Sequence, residues 1–195
     1  MESRLDYRRF NPEPLQALLA MEKYIAGCGL DHKFIHLLKL RASQINGCAY
    51  CIDMHSIDAR AAGESEQRLY ALDAWRETPF YDDRERAALA WIEAVTLVAQ
   101  AHVPDDVYDE AKKHFTEQEI VDLTYLAATI NAWNRLAIAL RALPGHYRAT
   151  KTTASPRRVV FRAAPKTVSG TRSAGSGSHS PSRRPTRQIG TMPRR

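Results

Sequence analysis

Apolar residues between residues 12 and 143 recur at helical intervals, bracketed by helix-starting and helix-ending signals, and no stretch sustains the alternation of a β-strand. Thr116 and Glu119 form a capping-box pair ahead of the most apolar run, which continues to about Leu143 before Pro144-Gly145. Residues 12–28, PEPLQALLAMEKYIAGC, place Leu15, Leu18, Leu19, Tyr24 and Ile25 near one face, and Gly27 and Gly29 end the segment. Asp31 is the expected N-cap of the next helix, where Phe34, Leu37, Leu38, Arg41 and Ile45 share a face before Asn46-Gly47 breaks it. A third helix is expected from about Cys48 to Ala62, stopped by Gly63, and a short one over residues 66–76. Asp82 or Asp83 caps a long helix closed by Pro104, and a short helix follows at 105–114. The fold class expected is all-α, with about seven helices.

Charge divides the 195 residues in two. Residues 1–147 carry 16 Lys and Arg against 22 Asp and Glu, a net −6, whereas residues 148–195 carry 12 basic residues and no acid, a net +12. The overall +6 therefore describes neither part. The expected organisation is a helical domain over 1–147 and a disordered basic tail over 148–195, rich in Ser, Thr, Pro, Gly and Arg and too poor in apolar side chains to offset its ordering entropy. Such a tail has the charge to touch nucleic acid or anionic surfaces through counterion release. It lacks interleaved aromatics apart from Phe161, and a functionless extension is the plainer expectation.

The charged N-terminal stretch MESRLDYRRFNPEPLQ has no apolar segment behind it, no apolar run reaches membrane-spanning length, and three cysteines do not form a disulfide framework. A cytoplasmic protein without membrane contact is the expectation. In that setting a CxxC pair is catalytic or metal-binding rather than structural.

The stretch QINGCAYCIDMHSIDARAAG, residues 44–63, holds Cys48, Cys51 and His55. On a helix these positions are i, i+3 and i+7, along one face. The two thiols can reach disulfide distance with little backbone movement. Cys48 falls in the first turn, where free N–H groups and the helix dipole favour a thiolate, and His55 can hydrogen-bond the sulfur of Cys51 or relay its proton. These parts suffice for a thiolate that attacks a peroxide, becomes a sulfenic acid and is resolved by its neighbour.

Zinc stays open on residues alone, with Cys48, Cys51 and His55 as ligands and Cys28, His32 or His36 as the fourth, although no second ligand pair is present. Haem attachment of the c type needs a histidine directly after the second cysteine, where Ile52 stands, and no strand precedes the CxxC as in a thioredoxin fold. Cys28, alone between glycines, reads as a small core residue. Arg41, Asp53 and Asp58 are candidates for ion pairs near the site, with a solvated helix face as the plainer reading. Trp91, Trp133 and Tyr125 read as core or subunit contacts, and Asn131, Asn134 and Arg135 need partners across a helix or subunit interface.

Residues 37–91, LLKLRASQINGCAYCIDMHSIDARAAGESEQRLYALDAWRETPFYDDRERAALAW, resemble the core of the alkylhydroperoxidase AhpD-like proteins, within the carboxymuconolactone decarboxylase family. The later INAWNRLAIALR resembles the closing helix of that group. The resemblance implies an all-helical fold, a homo-oligomer, and cofactor-independent peroxidase activity of the peroxiredoxin type. It matches Cys51 to the peroxide-attacking cysteine, Cys48 to the resolving one and His55 to the relay histidine. The relay glutamate would fall where this chain has His36, and a histidine between the cysteines is here Tyr50. A hydroperoxide substrate and a dithiol reductant, lipoyl or thioredoxin-like, are the implied partners. Two alternatives accompany this reading: a redox-sensing or zinc-stabilised interaction module, and a muconolactone-type decarboxylase, which does not depend on a cysteine pair.

Overall fold

The structure, a computed structural model, describes residues 2–10 and 12–149. The expectations placed on the basic tail therefore lie almost wholly outside the described residues.

Among these residues the chain forms eight α-helices and no strand, as the periodicity predicts. They are α1 (Pro12–Gly27), α2 (His32–Asn46), α3 (Ala49–Ala61), α4 (Glu66–Ala71), α5 (Asp83–Thr96), α6 (Val98–Ala101), α7 (Asp105–His114) and α8 (Glu117–Leu140). Short 3-10 turns cover Tyr7–Arg9 and Leu72–Glu77. The caps sit where the sequence places them. Asp31 accepts the Phe34 N–H at 3.2 Å, and Asp82/Glu85 and Thr116/Glu119 both close reciprocal capping boxes. Each such cap contributes about 1 kcal/mol by satisfying amides that have no partner within the helix.

Two expected helices are broken. The long helix after Asp82 stops at Thr96, Leu97 leaves helical geometry (φ −96°, ψ 19°), and one further turn, α6, follows. No Gly or Pro marks this break. The β-branched run Val95, Thr96, Val98 weakens the helix locally, and the Thr96 hydroxyl is held from outside by Asn131 Nδ2 at 3.1 Å. The segment 66–76 divides into α4 and the 3-10 turn at Leu72–Glu77. That segment is kinked at Ala74 (φ −108°, ψ 31°), and Leu72 and Trp75 on either side of the kink are both buried.

The helix α2 lies at the centre, packed on α3, α5 and α8. Leu37, Leu38, Leu89, Ile92, Leu126 and Ile130 are fully buried between them. Burial of each contributes about 1.5–3 kcal/mol. Ala59 of α3 joins this core, and the candidate site lies along the packed α2–α3 pair. Among the described residues no helix is long and apolar enough to cross a membrane.

Candidate active site

The turn between α2 and α3 sets up the thiol pair. Gly47 takes a left-handed conformation (φ 67°), which only a residue without Cβ adopts freely, and the Cys48 N–H bonds back to Ser43 O at 3.0 Å. Cys48 thereby becomes the N-cap of α3 rather than a residue of its first turn, in extended geometry (φ −83°, ψ 91°). Its Sγ accepts the backbone N–H of Cys51 at 3.4 Å. Both cysteines are free thiols, each 1% exposed, and with Ala137 they form a small cluster covered by Tyr50 and Ala142.

The two sulfurs share one proton unequally. The hydrogen bond from the Cys51 thiol, joined by the Cys51 backbone N–H and the Asn134 amide, outweighs burial and lowers Cys48 to about 7. That same bond, together with burial, pushes the Cys51 thiol up. A single negative charge on the pair therefore rests on the sulfur at the helix N-terminus.

His36 of α2 and His55 of α3 meet across the hairpin, Nδ1 to Nδ1 at 3.4 Å, with ring centroids 5.7 Å apart. Burial, reinforced by the Lys39 charge, lowers His36 to about 4 and His55 well below its usual range, so both imidazoles are neutral at physiological pH. Asp58, one turn beyond His55, places Oδ2 3.9 Å from His36 Nδ1, and its Oδ1 accepts the Tyr147 hydroxyl at 2.8 Å. Burial raises the Asp58 carboxyl against the opposing effects of Tyr147 and Lys39. Lys39 is itself buried and ion-paired with Glu22, which also accepts Trp133 Nε1 at 2.9 Å.

All four predicted site residues thus sit on the α2–α3 hairpin, as a thiol pair and a histidine pair. Of the possible metal-binding residues, the ones drawn together are His36, His55 and Asp58, whose ligand atoms all lie within 4.8 Å of one another. The cysteine sulfurs are not members of this cluster, Cys28 packs against the main core, and His32 is exposed. Arg41 turns away to Glu93 (2.7 Å) and Asp73 instead of pairing with Asp53 or Asp58. Asp53 accepts the Gly145 N–H at 2.8 Å. Asn134 is fully buried, donates to Ser43 Oγ at 3.1 Å, accepts from Asn46 at 2.8 Å, and lies against both sulfurs. Its polarity inside an apolar helix was the only sequence signal for that position. Lys39 and Tyr147 carried no such signal.

Residues 12–94 match the carboxymuconolactone decarboxylase family. The uncharacterized protein YdfG of Bacillus subtilis is 44% identical over 140 residues, covering 72% of this chain and 95% of its own. A protein of unknown function from Agrobacterium tumefaciens, Atu0492, provisionally named as an antioxidant defence protein AhpD, superposes with a TM-score of 0.72 at 44% identity, over 75% of this chain and all of its own. The debrominase Bmp8 shares the fold at 21% identity and a TM-score of 0.62, over 70% of this chain and 73% of its own. With the expected helices, the thiol pair at a helix N-terminus and a relative matched over nearly its whole length, the chain belongs to the AhpD-like carboxymuconolactone decarboxylase family.

Proposed function

We propose that residues 1–147 act as a thiol-dependent peroxidase that reduces hydroperoxides through Cys48 and Cys51. The observation carrying this reading is the sulfur-capped helix start: Cys48 Sγ accepts the Cys51 N–H, and its pKa falls to about 7. One of the paired thiols is then about half ionised at neutral pH. Cys51 attacks, as the resemblance implies, after passing its proton to Cys48 along their shared hydrogen bond. The Cys51 sulfur takes the distal peroxide oxygen, the O–O bond breaks, and the alkoxide leaves as the alcohol with a proton relayed by His55 and His36. Cys48 displaces water from the Cys51 sulfenic acid and closes the disulfide. In sum two thiols are oxidised, and one hydroperoxide becomes one alcohol and one water.

A dithiol donor, lipoyl or thioredoxin-like, returns the pair to its reduced form, which places the protein in a reducing, cytoplasmic setting. No other cofactor enters this chemistry. The exposed apolar side chains Leu19 and Tyr24 of α1 and Val121 and Tyr125 of α8 support assembly into a homo-oligomer.

The test is thiol counting and peptide mapping by mass spectrometry before and after an equimolar organic hydroperoxide. Loss of two thiols, a Cys48–Cys51 link, and a rate far above that of free cysteine are expected, and Cys51→Ser abolishes turnover. Thiols that survive, or react no faster than free cysteine, overturn the reading. The near-complete burial of both sulfurs favours a second reading, in which the pair is a redox switch in an interaction module. A disulfide that forms but is not cycled by any dithiol donor selects that one.

A further inference from the structure

We propose that His36, His55 and Asp58 form a binding site for a divalent transition-metal ion, of which zinc is the first representative, held by two imidazole Nδ1 atoms and one carboxylate oxygen. The site goes beyond the peroxidase reading and involves neither cysteine, but it takes His36 and His55 from the relay proposed there, so a bound ion and the relay are alternative uses of the two rings.

The geometry carries the inference. Zinc–nitrogen bonds of 2.0–2.1 Å at a tetrahedral angle separate two ligand atoms by about 3.4 Å. His36 Nδ1 and His55 Nδ1 are 3.4 Å apart. Asp58 Oδ2 stands 3.9 Å from His36 Nδ1, too far for a hydrogen bond, and all three ligand atoms lie within 4.8 Å of one another. The carboxylate oxygen has to move closer to complete the set. Two rings whose Nδ1 atoms face each other need either a proton or a cation between them, because their lone pairs otherwise repel. A cation removes that repulsion and leaves the hydrogens on Nε2, which on His55 is buried without a protein acceptor.

The surroundings suit a ligand set. Both imidazoles are neutral, the state a metal requires. The Tyr147 hydroxyl holds Asp58 Oδ1 at 2.8 Å and leaves Oδ2 toward His36, the outer hydrogen bond that orients a ligating carboxylate. Lys39, paired with Glu22, lies near enough for its charge to act on both rings and opposes a cation there. The three ligands come from α2 and from positions i and i+3 of α3, on the packed α2–α3 pair. Two histidines and one carboxylate are the donor set of late first-row metals, and three protein ligands leave coordination positions for water or substrate.

The experiment titrates the reduced, chelator-treated full chain with cobalt(II), followed by visible absorption, and with zinc by calorimetry. Wild type is compared with the Cys48→Ser/Cys51→Ser double variant and with His36→Gln, Asp58→Asn and Tyr147→Phe, each checked for helicity by circular dichroism. One equivalent should bind in wild type and in the cysteine double variant, without a sulfur-to-metal charge-transfer band. Removing an outer hydrogen bond weakens metal affinity about 10–100-fold, so Tyr147→Phe should fall in that range and loss of His36 or Asp58 should exceed it. Absence of stoichiometric binding overturns the proposal, as does binding that survives both His36→Gln and Asp58→Asn or disappears with the cysteines. Because the double variant has no thiol chemistry, failure of this site and failure of the peroxidase reading are read separately.

Discussion

The hydroxyl of Tyr147 donates to Asp58 Oδ1 at 2.8 Å, joining the segment after α8 to the middle of α3 across 89 residues of sequence. Together with the Gly145 N–H on Asp53 at 2.8 Å, it pins that segment along α3, and Ala142 of the same segment packs against the cluster of Cys48, Cys51 and Ala137. Buried thiols react through local opening. Removal of the phenol hydroxyl with Tyr147→Phe weakens closure by about 1 kcal/mol, which raises the open population about fivefold. Alkylation of the thiol pair by a small reagent should accelerate by that factor in Tyr147→Phe. An unchanged rate removes the segment from control of access.

Titration of the thiol pair should show one ionisation with a midpoint near 7, followed through thiolate absorbance in the ultraviolet. A folded pKa below the usual 9.0 stabilises the folded state above 9.0, and that stability is lost as pH falls through about 7. Cys51 has the opposite sign: its raised pKa makes the fold lose stability once the unfolded thiol ionises above 9.0. Unfolding free energy should therefore rise between pH 7 and 9 and flatten or fall beyond. Cys48→Ser should abolish the rise, and a wild-type profile flat through this window contradicts the shared-proton description.

Glu93 on α5 accepts Arg41 Nε at 2.7 Å and Trp75 Nε1 at 2.8 Å, and also pairs with Arg76. Burial acts to raise its pKa, but the bonds from Trp75, Arg76 and Arg41 prevail and lower it. Glu93→Ala removes the partner shared by Arg41, Trp75 and Arg76, leaves Arg41 paired with Asp73, and should cost about 1.5–3 kcal/mol in chemical denaturation. Because the folded pKa is depressed, the Glu93 contribution is present above the usual 4.5 and fades as pH drops below it. A loss under 1 kcal/mol, or one that persists unchanged in strong acid, refutes this account.

Leu126 on α8 is fully buried against the central helices. Leu126→Ala removes apolar contact and leaves a cavity, at about 2–5 kcal/mol. Leu143→Ala, at a position 37% exposed beyond the end of α8, should cost far less. Equal losses in thermal or denaturant unfolding argue against the packing described for α8.

Much of the fold was legible because its signals are local. Asp31, Asp82 and Thr116 cap helices through hydrogen bonds spanning three residues. The break at Leu97 was not legible, since Asn131 holds Thr96 from another helix. Nor was the role of Asp58, a surface charge by pattern, because its partners His36 and Tyr147 are set only when α2, α3 and the final segment pack together.

By itself the sequence determined an all-helical body, most of the helix starts, and a CxxC with a histidine one turn on, since periodicity, capping and side-chain type are properties of neighbouring residues. Only the tertiary structure decided that Cys48 caps the helix with its sulfur on the Cys51 N–H, why both histidines are neutral, and that Asp58 joins them. Those properties depend on burial and on distances of 3–4 Å across helices, which no spacing along one chain prescribes.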